Sequence, residues 1–288
     1  MGIPNFIVLG AGKSGTTSLY RYLNEHPQIF LPKLKELYFF LHPDDHNPVG
    51  LTDWDAYQAL YANAQPDQVK GEVSSVYLFR ESAAAYIQQY CPKTKLIAIL
   101  RNPIDRAFSD YLYNLKGLHP SVLNDRQRPR PFDDFIHPNQ YFIRIGYYTQ
   151  QLQRYYARFP AEQIRIYLFD DLSQDSATLI RDLYEFIEVD PDFHPDTSKK
   201  YNVSGVPKQV GVYRILKQDN PIRRAGALLL KPFLSSEARQ NLRSRLLKQS
   251  LKKPTLSAAH RQQLLAIYRD EIRQLQDLIQ RDLSDWQR

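Results

Sequence analysis

The chain has 288 residues, of which 43% are hydrophobic and 24% charged, a composition that is ordinary for a globular protein with a buried core. No apolar run approaches the roughly 18 residues of a membrane span, and the first glycine-rich motif begins too early for a signal peptide, so we expect neither a transmembrane segment nor a leader. The single cysteine, Cys91, excludes an internal disulfide framework and predicts a cytoplasmic protein, although a domain of a larger secreted enzyme has the same pattern. The net charge of +7 favours an anionic partner of unspecified kind.

Apolar runs and the breakers between them predict alternating strands and helices. The predicted strands are Phe6 to Leu9, Val69 to Val73, Lys95 to Leu100 and Ile164 to Phe169. The first predicted helix begins at Thr16 or Thr17, the second covers Ala83 to Tyr90, and the third begins near Ile104. Two further helices are predicted at Tyr141 to Phe159 and at Leu172 to Ile187. Leu118 to Asn139, with four prolines, is interpreted as a long surface excursion, and Asp190 to Val210 as a loop.

This alternation predicts an α/β fold in which a P-loop-like central parallel sheet is flanked by helices. The C-terminal part is predicted to be helical, and residues 1–288 to form a single domain. In the last helix apolar side chains recur every three to four residues, which predicts one buried face. They are Leu264, Tyr268, Ile272, Leu275 and Ile279.

The strongest local motif, GAGKSGTT from Gly10 to Thr17, follows the first predicted strand. Small residues let backbone N–H groups approach a phosphate, and the helix that follows adds the positive end of its dipole. Lys13 adds a full charge, and the hydroxyls that follow it add donors. The segment predicts a phosphate-binding loop, although a glycine-rich turn with an incidental lysine has the same pattern. A Walker A loop is excluded, because it needs a glycine where this chain has Ile7.

A second motif, LRNPIDRAFS from Leu100 to Ser109, follows the predicted strand Lys95 to Leu100. Arg101 stands at the carboxyl end of that strand, where open parallel sheets bind ligands, and Ser109 lies two turns into the next helix. A loop folded back between them would bring a guanidinium and a hydroxyl onto one anion. Taken alone, the segment is also compatible with a helix N-terminus that carries surface arginines.

Together the two segments resemble the cofactor motifs of sulfotransferases that use 3'-phosphoadenosine-5'-phosphosulfate (PAPS). Lys13 to Thr17 is similar to their 5'-phosphosulfate loop, and Arg101 to Ser109 to their 3'-phosphate motif. Within that family the closest pattern is the carbohydrate type that includes heparan sulfate sulfotransferases, whose glutamate in Glu-x-x-Phe-Phe matches Glu36. The alternative for Glu36 is a surface carboxylate that pairs with Lys33 or Lys35.

The resemblance implies a role for each matched residue. Glu36 would be the general base toward a hydroxyl or amine of a glycan or small-molecule acceptor, and Lys13 would stabilise charge on the leaving oxygen. Arg101 and Ser109 would bind the 3'-phosphate. The 5'-phosphate would be held by Lys13, Ser14, Gly15, Thr16 and Thr17. Transfer would be direct and in line, without a metal, and would release 3'-phosphoadenosine-5'-phosphate (PAP).

A basic loop that closes over the 3'-phosphate in relatives has a counterpart late in this chain. It implies Lys199, Lys200 and Tyr201 as cofactor ligands, with a solvated lysine pair before a turn as the alternative. Two positions depart from the carbohydrate-type pattern. Val73 and Tyr113 stand where some relatives have lysine and histidine. These differences concern the acceptor side and leave the expectation of PAPS binding intact.

Two other functions are weighed against this one. A P-loop nucleotide kinase shares the strand, glycine loop and lysine, but lacks the Walker A spacing. A non-enzymatic polyanion-binding protein would suit residues 199–253, where fourteen Lys and Arg stand against two acidic residues. No recognised nucleic-acid module is present, so no nucleic-acid partner is expected. Peripheral membrane contact through Ile222 to Leu234 would suit a lipid acceptor, although an amphipathic helix packed on the core has the same pattern.

Overall fold

The computed structural model describes residues 2–117, 119–126, 128–198 and 254–288, and between the last two ranges residues 206–209, 211, 213, 215, 235, 238, 241, 245–247 and 249–252. Its main strands are β1 (Phe6–Gly10), β2 (Ile29–Phe30), β3 (Val69–Val73), β4 (Lys95–Leu100) and β5 (Ile164–Leu168). They form one sheet in the order β2–β3–β1–β4–β5, with every neighbouring pair parallel. The predicted parallel sheet is therefore confirmed.

Helices connect the strands and cover the sheet. They are α1 (Thr16–Leu23), α2 (Trp54–Ala59), α3 (Ala83–Tyr90), α4 (Pro103–Gly117), α5 (Tyr141–Arg144), α6 (Tyr148–Tyr156), α7 (Phe169–Gln174), α8 (Ser176–Ile187) and α9 (Ala258–Ile279). Short 3-10 helices lie at Pro120–Val122, Phe132–Phe135, Ala161–Gln163 and Ser284–Gln287. None of the described helices combines the length and the hydropathy that a membrane crossing requires.

The two faces of the sheet carry separate apolar layers. Along β1, Phe6 and Val8 pack into the layer that contains α1 and α8, whereas Ile7 and Leu9 pack into the layer that contains α3, α4 and α9. This alternation is the two-residue period of a strand, and both layers are apolar because the sheet is covered on both sides. The carboxyl ends of the strands remain as the edge from which the loops emerge.

Two predicted helices are wrong as single elements. Tyr141 to Phe159 is broken between α5 and α6 at Gly146, where a Cβ would lie 2.7 Å from the Tyr268 hydroxyl. That hydroxyl donates to the Ile143 carbonyl at 2.7 Å, so the packing of α9 decides the break. Leu172 to Ile187 is divided at Asp175, whose side chain accepts from the Thr178 amide at 3.1 Å and caps α8. Apolar periodicity does not detect the break at Gly146, whereas Asp175 is a residue type that commonly caps helices and was a usable signal for the second break.

The predicted surface excursion at Leu118 to Asn139 is also corrected. Val122, Phe132 and Phe135 are buried in the larger apolar layer, and the two 3-10 helices carry them. The Tyr111 hydroxyl, on α4, donates to the Arg130 carbonyl at 2.6 Å. The segment is therefore packed onto α4 despite its prolines and charges.

Further differences concern short elements. β2 and α2 were not predicted, because two residues of strand and six of helix give little periodicity. Within the predicted loop at Asp190 to Val210, Val206–Pro207 pairs antiparallel with Leu251–Lys252. The apolar face predicted for the last helix is confirmed, since Leu264, Tyr268, Ile272 and Leu275 are fully buried and Ile279 is partly buried against them.

Candidate functional site

The loop between β1 and α1 makes a tight turn at the carboxyl edge of the sheet. Gly10 and Gly15 have φ angles of +150° and +92°, in the region that favours glycine. A Cβ at Gly15 would also lie 2.9 Å from the Leu172 side chain. At Gly12, by contrast, a Cβ would meet nothing within 4 Å, so open space adjoins the loop. The loop has the backbone conformation and the room that a bound phosphate needs.

Among the described residues, the buried Ser14 hydroxyl has no hydrogen-bond partner. Its side chain is fully buried, and its Oγ bonds to none of the residues that the structure describes. The Tyr148 hydroxyl lies near the Ser14 hydroxyl, but the two are not in hydrogen-bond geometry, and Tyr148 donates its own proton to the Arg101 carbonyl at 3.0 Å. α1 begins at Gly15 without a side-chain cap and without an acidic residue in its first turn. An orphaned donor beside an uncapped helix N-terminus fits an anionic ligand such as a phosphate.

Lys13 presents the charge of the loop. Its backbone has a positive φ of 70°, and its Nζ lies 3.7 Å from the centroid of the Tyr113 ring on α4. Burial lowers the pKa of Lys13 to about 8; Asp110 opposes this shift, and the neighbouring cations Arg101 and Lys116 add to it. The side chain therefore holds a poorly hydrated ammonium below about pH 8, which suits the stabilisation of an anion.

Arg101 joins the second motif to the first. It follows β4 directly, and its guanidinium donates to the Lys13 carbonyl at 3.2 Å. The same group lies over the Phe169 ring, 4.7 Å from its centroid. Burial lowers the pKa of Arg101, which still remains a cation at any physiological pH. A second, fixed positive charge thus stands at the carboxyl edge beside the glycine loop.

The helix that carries Ser109 is fixed at its start. The Asn102 side chain accepts from the Ile104 amide at 3.0 Å and donates to the Trp286 carbonyl at 3.2 Å. Ser109 is 6% exposed and precedes Tyr113 by one helical turn, so the two residues lie on one face of α4. Since the Tyr113 ring lies against the Lys13 ammonium, this face is directed toward the glycine loop.

Glu36 lies beside the loop from the other side. Its backbone has a φ of 66°, and its carboxylate accepts from the Ser75 amide at 2.7 Å and from the Ser75 hydroxyl at 2.8 Å. The Lys35 ammonium contacts the same carboxylate, so the ion pair considered from the sequence is present as well. Ser75 is close to the glycine loop, since a Cβ built on Gly10 would lie 2.8 Å from the Ser75 carbonyl. The Glu36 carboxylate, which Ser75 holds, therefore lies at the border of that loop.

A buried carboxylate, Glu72, holds the segment around Glu36. It is 1% exposed and accepts from the Tyr57 and Tyr77 hydroxyls, each at 2.6 Å, and from the Ser74 hydroxyl at 2.7 Å. Ser74 in turn accepts from the Leu37 amide at 2.9 Å. Burial raises the pKa of Glu72, and the three hydroxyl donors oppose this shift. The network fixes the backbone directly after Glu36.

The family model described as a sulfotransferase domain matches residues 4–202 of the chain. The chain belongs to this family. It is 29% identical over 206 residues to human (Homo sapiens) bifunctional heparan sulfate N-deacetylase/N-sulfotransferase 3, covering 67% of this chain and 23% of that protein. It is 27% identical over 193 residues to heparan sulfate glucosamine 3-O-sulfotransferase 5 of Mus musculus, covering 66% and 54%. The chain thus spans about a quarter and about half of the length of these relatives.

A solved structure extends the similarity to the whole chain. The crystal structure of a sulfotransferase from Alicyclobacillus acidocaldarius is 27% identical, with a TM-score of 0.71 and 100% of both chains covered. The predictions of an α/β sulfotransferase fold and of membership in this family are confirmed. Sulfotransferases of this family use PAPS as donor and release PAP.

The structure brings together most of the site residues that the sequence motifs predicted. Lys13 and Arg101 are hydrogen-bonded, the Ser109 face of α4 adjoins them, and Glu36 borders the same loop. Thr16 and Thr17 begin α1. The predicted ligands Lys199, Lys200 and Tyr201 lie outside the described residues, as does the segment from Ile222 to Leu234.

Two residues that hold the candidate site were not predicted from the sequence. Ser75 grips Glu36, and Phe169 lies under Arg101. Ser75 lies just beyond one predicted strand, and Phe169 was predicted only as the last residue of another. Their positions were a usable signal, because Ser75 follows one predicted strand by two residues and Phe169 ends another. The carboxyl ends of parallel strands meet at one edge of the sheet.

Replacing Ser14 by alanine is expected to weaken PAP binding about tenfold or more, since a hydrogen bond to a charged group contributes about 1.5–3 kcal/mol. In the ligand-free protein the same change should leave the free energy of unfolding unchanged or raise it by up to about 1 kcal/mol, because an unsatisfied buried hydroxyl is removed. Calorimetric titration and chemical denaturation measure the two effects, with Ser18→Ala on α1 as the matched control. A parallel loss of affinity and stability would instead assign the hydroxyl to the loop's own structure.

Replacing Glu72 by glutamine is expected to lower the free energy of unfolding by about 2–4 kcal/mol, because an amide NH₂ group would face hydroxyl donors that need an acceptor. Tyr57→Phe, which removes one donor and keeps the ring, should cost less. Urea denaturation of both variants measures the difference. A loss below about 0.5 kcal/mol for Glu72→Gln would show that the network readily exchanges its hydrogen bonds.

Proposed function

We propose that the chain transfers a sulfuryl group from PAPS to a hydroxyl or amine of an acceptor. The observation that carries the proposal is the hydrogen bond from the Arg101 guanidinium to the Lys13 carbonyl, which unites the two anion-binding motifs at one edge of the sheet. A donor with phosphates at both the 5' and 3' positions needs two separate anion sites. The glycine loop offers one, and Arg101 with the Ser109 face of α4 offers the other.

The residues present can supply the groups that the reaction needs. As the acceptor oxygen or nitrogen forms its bond to sulfur, the bond between sulfur and the bridging phosphate oxygen breaks, and PAP leaves. The proton of the acceptor passes to the Glu36 carboxylate. The Lys13 ammonium and the orphaned Ser14 hydroxyl offset the negative charge that develops on the departing phosphate.

The proposed acceptor is a glycan or a small molecule. Glycan chemistry is supported by the relatives, which are named for heparan sulfate. Val73 and Tyr113 stand where some carbohydrate-type relatives have lysine and histidine, so the acceptor need not be the one that those relatives modify. A cytoplasmic location stays a prediction that depends on the single cysteine, Cys91.

The comparisons give no support to a nucleotide kinase or to a non-enzymatic polyanion-binding protein. β4 also ends in Arg101, whose charge suits an anion, where a kinase would need a carboxylate for magnesium. The sulfotransferase proposal therefore stands without a favoured second function.

Sulfur transfer can be followed with PAPS that is radiolabelled in the sulfur. The protein is incubated with glycan, glycolipid and small-molecule fractions, in the presence of a chelator, and the labelled product is isolated. We expect label to move into one fraction together with release of an equal amount of PAP. Transfer of labelled phosphate from ATP with magnesium to the same fractions, without sulfur transfer, would contradict the proposal.

A further inference from the structure

Tyr113 is an exposed aromatic residue with one face occupied. It lies on α4, 52% of its surface is accessible, and the Lys13 ammonium is 3.7 Å from its ring centroid. A cation within about 6 Å of an aromatic centroid is attracted to the electron-rich face of the ring. Tyr113 thus contacts the charged atom of Lys13, whereas Arg101 contacts only its backbone carbonyl.

The charges around Lys13 make this contact consequential. Arg101 approaches from the loop after β4, and Arg106 and Lys116 approach from α4, so three cations face the ammonium. Asp110, also on α4, is the anion that opposes them. Burial and these cations disfavour the charged form of Lys13, and the ring face of Tyr113 favours it.

The ring belongs to a regular helix, whereas the lysine belongs to a loop. Lys13 lies in a loop and reaches outward through a flexible four-carbon side chain. Tyr113 extends from a helix whose start is fixed by the hydrogen bonds of Asn102 to the Ile104 amide and the Trp286 carbonyl. The direction in which the ammonium points is therefore set by α4 as well as by the glycine loop.

We propose that Tyr113 is a positioning residue for Lys13: its ring holds the ammonium in place and stabilises its charged form. The proposal that this ammonium then meets the leaving phosphate oxygen depends on the proposed sulfotransferase function. The contact between the Tyr113 ring and Lys13 does not depend on that function, because it is made within the protein itself. Sequence comparison with carbohydrate-type relatives, some of which have histidine here, would assign Tyr113 to the acceptor side only.

The test is the pH dependence of PAP affinity, which needs no acceptor. Calorimetric titrations are made between about pH 7 and about pH 9.5, above the range in which the phosphates of PAP take up protons. The proteins are the full chain and its Tyr113→Phe, Tyr113→Leu and Lys13→Ala variants. Phenylalanine keeps the ring face and removes the hydroxyl, whereas leucine keeps apolar bulk and removes the ring. Tyr141→Leu is the matched control, since Tyr141 is 53% exposed and its ring packs edge-on against Phe79.

In the unaltered protein the PAP affinity should fall above about pH 8, where free Lys13 loses its proton. In Tyr113→Leu the fall should begin about 0.5 pH unit lower, so that the affinity near the upper end of the range is about threefold weaker. Tyr113→Phe and Tyr141→Leu should follow the unaltered protein. Lys13→Ala should bind weakly and show no such fall.

The proposal is overturned if Tyr113→Leu has the pH dependence of the unaltered protein, or if Tyr113→Phe loses as much as Tyr113→Leu, which would assign the effect to the hydroxyl. It is also overturned if the fall persists in Lys13→Ala. If the unaltered protein binds no PAP, the proposed function fails. The effect of Tyr113 on the protonation of Lys13 is then measured in the protein without a ligand. Lysines carrying isotope-labelled methyl groups are titrated by NMR, and the Lys13 resonance is identified by its absence in Lys13→Ala. A midpoint that is not lowered in Tyr113→Leu overturns the inference there too.

Discussion

Replacing Glu36 by glutamine is expected to lower kcat for sulfuryl transfer by about a hundredfold to ten-thousandfold, the range that a positioned general base contributes. Glutamine has nearly the same shape and can still bond to the Ser75 amide and hydroxyl, but it cannot take a proton from the acceptor. PAP affinity and the free energy of unfolding should therefore change little. Rates of PAP release, measured beside calorimetric PAP binding, separate the two effects.

Glu81→Gln is the matched control, because Glu81 is an exposed carboxylate outside the site. A Glu36→Gln rate within about tenfold of the unaltered protein would contradict the assignment, since even a modest general base contributes more. His42 would then be the next residue to replace. Its ring is 52% exposed and accepts from the Asp44 amide at 3.2 Å, which leaves one ring nitrogen outside that contact.

Replacing Lys13 by methionine is expected to lower kcat by about a hundredfold to a thousandfold, by analogy with the loss of one donor to a developing oxyanion. Methionine keeps the length and apolar body of the side chain and removes the charge. Single-turnover rates at saturating PAPS measure the effect on the chemical step. Lys13→Arg, which restores a cation of different shape, should recover part of the rate.

The same variant should be more stable than the unaltered protein at neutral pH. Burial lowers the pKa of Lys13 to about 8 in the folded chain, whereas an unfolded lysine has a pKa of about 10.4. Between these values the unfolded chain binds more protons, so the free energy of unfolding of the unaltered protein should rise with pH in that window. The stability advantage of Lys13→Met should shrink over the same window. Denaturation at about pH 7 and about pH 10 measures this change, and a constant difference would contradict the buried-charge account.

The charges around Lys13 explain why its replacement is expected to lower activity and raise stability. The two motifs place Lys13 and Arg101 in one region, the end of α4 adds Lys116, and Asp110 opposes these charges only in part. Such a cluster of cations disfavours the ligand-free fold and favours the binding of a multiply charged anion. The buried Ser14 hydroxyl, which has no hydrogen-bond partner among the described residues, likewise disfavours the ligand-free fold and favours the binding of an anion.

The sequence alone was sufficient for the sheet and for the two anion-binding motifs. β3 and β4 have the predicted bounds, and β1 differs by a single residue, Gly10. The signal is clearest at β4, which is a short apolar run closed by breakers. The glycine loop was predictable because Gly10, Gly12 and Gly15 with Lys13 form a local pattern. Its physical cause, close backbone approach, acts within a few residues.

What the sequence did not reveal depends on contacts between distant residues. Ser75 holds Glu36 across thirty-nine positions, and Tyr113 reaches Lys13 from another helix. The break at Gly146 is caused by Tyr268 on α9, far along the chain. No local period records such contacts, so these features became visible only when the elements were packed together.

The most direct test of the account compares the binding of PAP and AMP to the unaltered protein and to Arg101→Ala, by calorimetry. The account predicts that the unaltered protein prefers PAP by about tenfold or more, because a charged hydrogen bond to the 3'-phosphate contributes about 1.5–3 kcal/mol. In Arg101→Ala the PAP affinity should fall toward that of AMP, while AMP binding changes little. A protein that ignores PAP and binds ATP with magnesium, or a preference for PAP that survives the loss of Arg101, would contradict the account.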